Sequence, residues 1–159
     1  MFAWVLWLLA APPEHLVKDG APVEMTAKGG LRVDLKRNRG FAKGDVVITR
    51  EDITVCCDEA EAEYAKNRIE VVTCKGRVVI VRPDGTRATA NVAVFRAAQD
   101  QVTLSGTAQV VSKEAQLAGE RIIYDIGEDR LEVEGSKVRF RFDPKTVAPV
   151  VGRECPPKS

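Results

Sequence analysis

The chain has 159 residues, with 24 basic and 23 acidic side chains and a formal net charge of +1. That balance excludes the one-sided basic excess of a dedicated nucleic-acid binder, and the length suits one domain rather than two. A single histidine, His15, rules out a histidine triad or a multi-histidine zinc site in the body of the protein.

The chain opens with ten apolar residues at 2–11 (FAWVLWLLAA), followed by Pro12 and Pro13. Such a run is too short to cross a bilayer, which takes about 20 residues. It fits the apolar stretch of an export signal, with Ala10 and Ala11 as a small-residue cleavage region. No basic residue precedes it, the first being His15 or Lys18, so a buried N-terminal strand or helix is the alternative. Residues 1–20 are read as a signal peptide and leader, 21–143 as the folded domain, and 144–159 as a disordered tail.

Past residue 20 the apolar pattern has a period of two. Residues 31–35 (LRVDL), 102–105 (VTLS) and 131–134 (LEVE) alternate, as expected of half-buried strands. In 137–142 (KVRFRF), Val138, Phe140 and Phe142 share one face and Lys137, Arg139 and Arg141 the other. Residues 82–86 (RPDGT) form a turn. No long window carries a 3.6-residue apolar stripe. Residues 59–66 (EAEAEYAK) come nearest to a helix by propensity, but the same alternation fits an exposed strand.

The sequence also repeats itself. Gly44, Gly76, Gly106 and Gly135 each begin a strand pattern, at spacings of 32, 30 and 29 residues. Tyr64, Phe95 and Tyr124 precede the last three by 11 or 12 residues. A glycine in a strand pattern marks a bulge or sharp bend. A unit of about 30 residues cannot bury its own apolar face, so successive units must stack into one folded sheet. Its interior would hold Val46, Ile48, Val78, Ile80, Val102, Leu104, Val110, Leu131, Val133, Val138 and Phe140. Its two ends would present unpaired strand edges, to which another sheet can add.

The run 117–124 (LAGERIIY), then 129–135 (DRLEVEG) and 137–139 (KVR), resembles the OstA-like family, to which LptA, LptC and the N-terminal domain of LptD belong. Residues 55–58 (VCCD) with Tyr64 and 76–80 (GRVVI) resemble the preceding copy, and 31–48 the family's opening strand pair. The likeness covers residues 30–142, departing at Cys56-Cys57 and in a longer loop after Tyr64. It implies an all-β, V-shaped jellyroll of stacked antiparallel strands with open edges. It further implies a periplasmic lipopolysaccharide-transport protein, without enzyme chemistry, cofactor or nucleic-acid partner. Lipid A acyl chains would lie in an apolar groove lined by Val78, Ile80, Val102, Leu104, Val110, Leu131, Val133, Val138 and Phe140. LptC-like and LptD-like jellyrolls, or further copies head to tail, would join through edges containing Leu31, Val33 and Leu35 at one end and Lys137, Arg139 and Arg141 at the other.

Each feature has a plainer reading beside it. An inward Val or Leu is ordinarily core, and the basic stripe ordinarily a solvated face. An LptC-like role is the nearest alternative, although LptC keeps a membrane helix that the ten-residue run cannot supply. A β-scaffold polymerising without lipid is the next. A carbohydrate enzyme using Asp125, Glu128 and Asp129 would need a cleft, and acidic residues at turns usually serve solvation. The four cysteines show no metal spacing. A bridge from Cys74 to Cys56 or Cys57 fits an oxidising compartment, with Cys57–Cys74 the pair put forward, and half-buried thiols are the alternative. Cys155, in the tail, would be exposed and able to cross-link to a partner.

Overall fold

The computed structural model describes residues 22–143. The expected leader and tail lie outside the described residues. Ten strands follow in order: β1 (Val23–Thr26), β2 (Leu31–Asp34), β3 (Arg39–Arg50), β4 (Ile53–Ala65), β5 (Arg68–Val81), β6 (Arg87–Arg96), β7 (Gln101–Val111), β8 (Ala115–Asp125), β9 (Arg130–Glu134) and β10 (Arg139–Phe142). Every pairing is antiparallel. The main path runs β1-β3-β4-β5-β6-β7-β8-β10, with β2 also on β3 and β9 also on β8.

The long strands are each interrupted near the middle, and the β4–β5 ladder slips a second time at Glu63/Tyr64. Register shifts fall at 43–46 in β3, 56–59 in β4, 75–78 in β5, 89–92 in β6 and 105–108 in β7. These bulges line up across the sheet, so the whole sheet folds there and gives two facing walls. The first wall holds β2, β9 and the segments 39–43, 59–65, 68–75, 92–96, 101–105 and 121–125. The second holds β1, β10 and the segments 46–50, 53–57, 78–81, 87–90, 108–111 and 115–119.

The repeated glycines sit on this hinge. Gly76 and Gly106 have φ of +83° and +78°, and the residue after each, Arg77 and Thr107, is also left-handed. A Cβ on Gly76 would come 2.6 Å from Asp58 Oδ2, and one on Gly106 would come 2.7 Å from Asn91 Nδ2. Both the backbone angle and the close polar neighbour therefore select glycine. The sequence reading placed these glycines at strand starts. In fact β5 and β7 run through them, because the ladder resumes beyond the bulge.

Residues 59–66 resolve by the same pairing. Residues 59–65 are strand, with Ala60 and Ala62 buried between the walls. Glu59, Glu61 and Glu63 face outward, where Lys43 and Arg39 pair with them at 3.1–3.8 Å. These pairs are exposed, so they set the outer face more than they stabilise it. The core lies between the walls and runs from Ala42 and Val46 near one end to Ile122, which is fully buried.

Candidate functional site

Because paired residues in a sheet share a face, the registers order the interior by depth. On the first wall the deep row is Leu31, Ala42, Ala60, Cys74, Ala93, Leu104, Ile122 and Val133. The row nearer the mouth is Val33, Gly40, Ala62, Val72, Phe95, Val102, Tyr124 and Leu131. Across from it on the second wall stand Met25, Ile48, Val55, Ile80, Ala88, Val110, Leu117 and Phe140. Each row passes through the molecule from one open edge to the other.

Between the walls the upper rows leave a groove holding a cavity of about 400 Å³. Ile48, Val55, Ile80, Phe95, Val102 and Leu117 line its body, while Arg50, Arg82, Asp84, Thr86, Ser112 and Asp129 stand at its mouth. A dry floor beneath a polar rim suits an amphiphile with its chains inside and its head in water. A second concavity, of about 540 Å³, lies against the hairpin of β2 and β3 and is lined mainly by charged residues. It lacks such a floor.

The expected groove residues separate by depth. Ile80, Val102, Leu104, Val110 and Leu131 border the cavity. Leu104 does so from the bottom, 2% exposed. Val78 is buried at the hinge and Val133 packs on the core from β9. Phe140 faces inward opposite Leu117 but lies at the open end, 63% exposed. Val138 precedes β10 and is exposed, since the strand begins at Arg139 instead of Lys137. Of the expected edge residues, Leu31 and Val33 are on β2 and Arg139 and Arg141 on β10; Leu35 and Lys137 lie just outside these strands.

A disulfide joins Cys57 to Cys74, with Cα atoms 5.8 Å apart. Cys57 ends the second-wall half of β4 and Cys74 lies in the first-wall half of β5, so the bond staples the walls just inside the hinge. Cys56 points the other way and is buried with Val79 and Val81 on the outer face of the second wall.

The sequence reading missed the contacts that cross the mouth. Arg82, at the start of the turn between β5 and β6, donates from Nη1 to the Tyr124 hydroxyl at 3.1 Å. That hydroxyl donates to Asp129 Oδ1 at 2.7 Å. Burial, then the bond to Asp129, pushes the Tyr124 phenol above its ordinary value, so it remains protonated and able to donate. Further along, the Arg50 guanidinium lies 5.3 Å from the centroid of Phe95. The aromatic period pointed to Phe95 and Tyr124, but nothing in the spacing tied them to arginines on the opposite wall. Among the described residues no helix is long and apolar enough to cross a membrane, and no cluster of metal-ligating side chains forms.

Residues 29–145 match the model of the family described as LptA/(LptD N-terminal domain) LPS transport protein. No curated protein matches the chain. Among solved structures, it is similar to LptH from Pseudomonas aeruginosa, the LptA-homologous periplasmic component of that organism's lipopolysaccharide transport device. The likeness has a TM-score of 0.73 at 22% identity and covers 80% of this chain and 99% of that one. At this identity the match speaks for the fold, which is the same open jellyroll. The family model spans most of the chain and nine of the ten strands, all but β1, and the family is one of transport proteins and not of enzymes: the chain belongs to the LptA/LptD N-terminal domain family of lipopolysaccharide transport proteins.

Proposed function

We propose that the chain is a periplasmic carrier that holds the lipid A acyl chains of lipopolysaccharide in the groove between its walls. It would join LptC-like and LptD-like jellyrolls, and further copies of itself, through its open edge strands. The observation that carries this reading is the apolar interior that runs, among the described residues, between two open sheet edges under a polar mouth. A saturated chain of twelve to fourteen carbons taken out of water gains about 10 kcal/mol, at ~0.8 kcal/mol per methylene. Holding the lipid therefore requires no chemistry from the protein, only a continuous dry track.

The test is lipid capture by a photo-crosslinker at Val102, which borders the cavity nearer the mouth than Leu104 does. A lipopolysaccharide adduct, competed away by unlabelled lipid A and weakened in Leu117→Asp, is expected. A folded protein that yields no adduct from Val102, Ile80 or Leu117 would leave a scaffold working through its edges alone.

A further inference from the structure

Holding acyl chains does not by itself call for the arginines at the mouth. Arg82 reaches from the second wall to the first, and its guanidinium carbon stands 5.8 Å from the centroid of the Tyr124 ring. With the bond to the Tyr124 hydroxyl it bars the open side of the groove, opposite the hinge. This hydrogen-bond partner is a neutral hydroxyl, not a carboxylate. The nearby Asp84 carboxylate feels the Arg82 charge but makes no hydrogen bond to it, accepting instead the Thr86 N–H at 2.9 Å within its own turn.

A guanidinium bonded to a neutral group gains by exchanging it for an anionic oxygen, because charge-assisted bonds are about twice as strong as neutral ones. Its planar fork also matches phosphate better than an ammonium does. Directly below Arg82 the lining is apolar, with Ile80, Ala88 and Leu117. An amphiphile with its chains on that floor puts its head where Arg82 now stands.

We propose that Arg82 reads the headgroup of the cargo: it latches the mouth through Tyr124 when the groove is empty and transfers to a headgroup phosphate as the acyl chains enter. This rests on the lipid-track reading and adds to it a preference for phosphorylated amphiphiles and a gate. Asp129 is a positioning residue, holding the Tyr124 hydroxyl from the other side. No covalent step is involved.

The experiment is displacement of a fluorescent acyl probe from the full chain by lipid A carrying its phosphates, by dephosphorylated lipid A, and by inorganic phosphate. Wild type is expected to favour the phosphorylated lipid by about tenfold, and Arg82→Gln to bring the two lipids within about twofold. Tyr124→Phe keeps the ring and removes the hydroxyl, so stopped-flow loading should become faster. Should Arg82→Gln melt early, Arg82→Lys keeps the charge without the fork and is expected to retain an intermediate preference. Inorganic phosphate should leave the lipid preference intact; its loss in phosphate would describe a free-anion site and overturn the headgroup role. Equal affinity of wild type for both lipids, or a preference that survives Arg82→Gln, would overturn Arg82's role while leaving the groove standing. Binding of neither lipid would overturn the groove reading and this one with it.

Discussion

At the scale of single residues, the hinge depends on glycines that nothing else can replace cheaply. Gly76→Ala meets both a left-handed φ and the Asp58 side chain, which two bonds from Arg77 hold in place at 2.8 and 3.2 Å. We expect a loss of about 1–3 kcal/mol in urea unfolding, against near neutrality for Gly40→Ala, where a Cβ meets nothing within 4 Å. A second residue-scale prediction concerns Asp84. The Thr86 N–H, its largest influence, lowers the carboxyl below its ordinary 3.8. A lowered carboxyl stabilises the fold fully above that ordinary value and loses its effect as pH falls through the folded value. Asp84→Ala should therefore cost about 0.5–1 kcal/mol at neutral pH, and the two chains should converge in stability in strong acid.

At the scale of elements, the Cys57–Cys74 staple and the aligned bulges do different jobs. The bulges bend each strand, whereas the staple fixes how far apart the walls stand near β4 and β5. Replacing both cysteines with serine should cost about 2–4 kcal/mol, read as a lower melting temperature. Strand content by circular dichroism should remain, since neither sulfur takes part in the ladder. Element-level structure was largely legible in the sequence, because a period of two reports directly which residues share a face. Glu59 to Glu63 show the limit: alternating Ala and Glu fits a helix by propensity, and only pairing with β3 and β5, which buries Ala60 and Ala62 between the walls, decides for a sheet. Val138 shows another, since the alternation begins at Lys137 while pairing with β8 begins only at Arg139, opposite Ala118. The polar residues facing the hinge glycines, Asp58, Asn91 and Glu120, went unnoticed because they differ in type from copy to copy. The Arg82–Tyr124 contact joins residues 42 apart on opposite walls, and no local pattern encodes such a pair.

At the scale of the whole molecule, the exposed large apolar residues are not scattered. Leu31, Val33 and Leu35 gather around β2, and Leu131, Val138, Phe140 and Phe142 around β9 and β10. Apolar patches of this kind mark association surfaces. Phe140→Lys places a charge on the inward face of β10 and should weaken self-association, measured by sedimentation, by about tenfold or more. That corresponds to ~1.4 kcal/mol, below the usual worth of burying one phenyl ring. If Phe140→Lys sediments as wild type does, the β10 end takes no part in assembly.

The rows of inward side chains also bear on how such an assembly would grow. Among the described residues they begin at β1 and β2 and end at β9 and β10 without a polar capping layer, unlike the terminal repeats of most stacked folds. Each incoming copy would then meet the same surface as the one before it. Growth would need no nucleus, and chain lengths would follow a smooth exponential distribution set by concentration. Light scattering after a concentration jump should rise at once, with no lag.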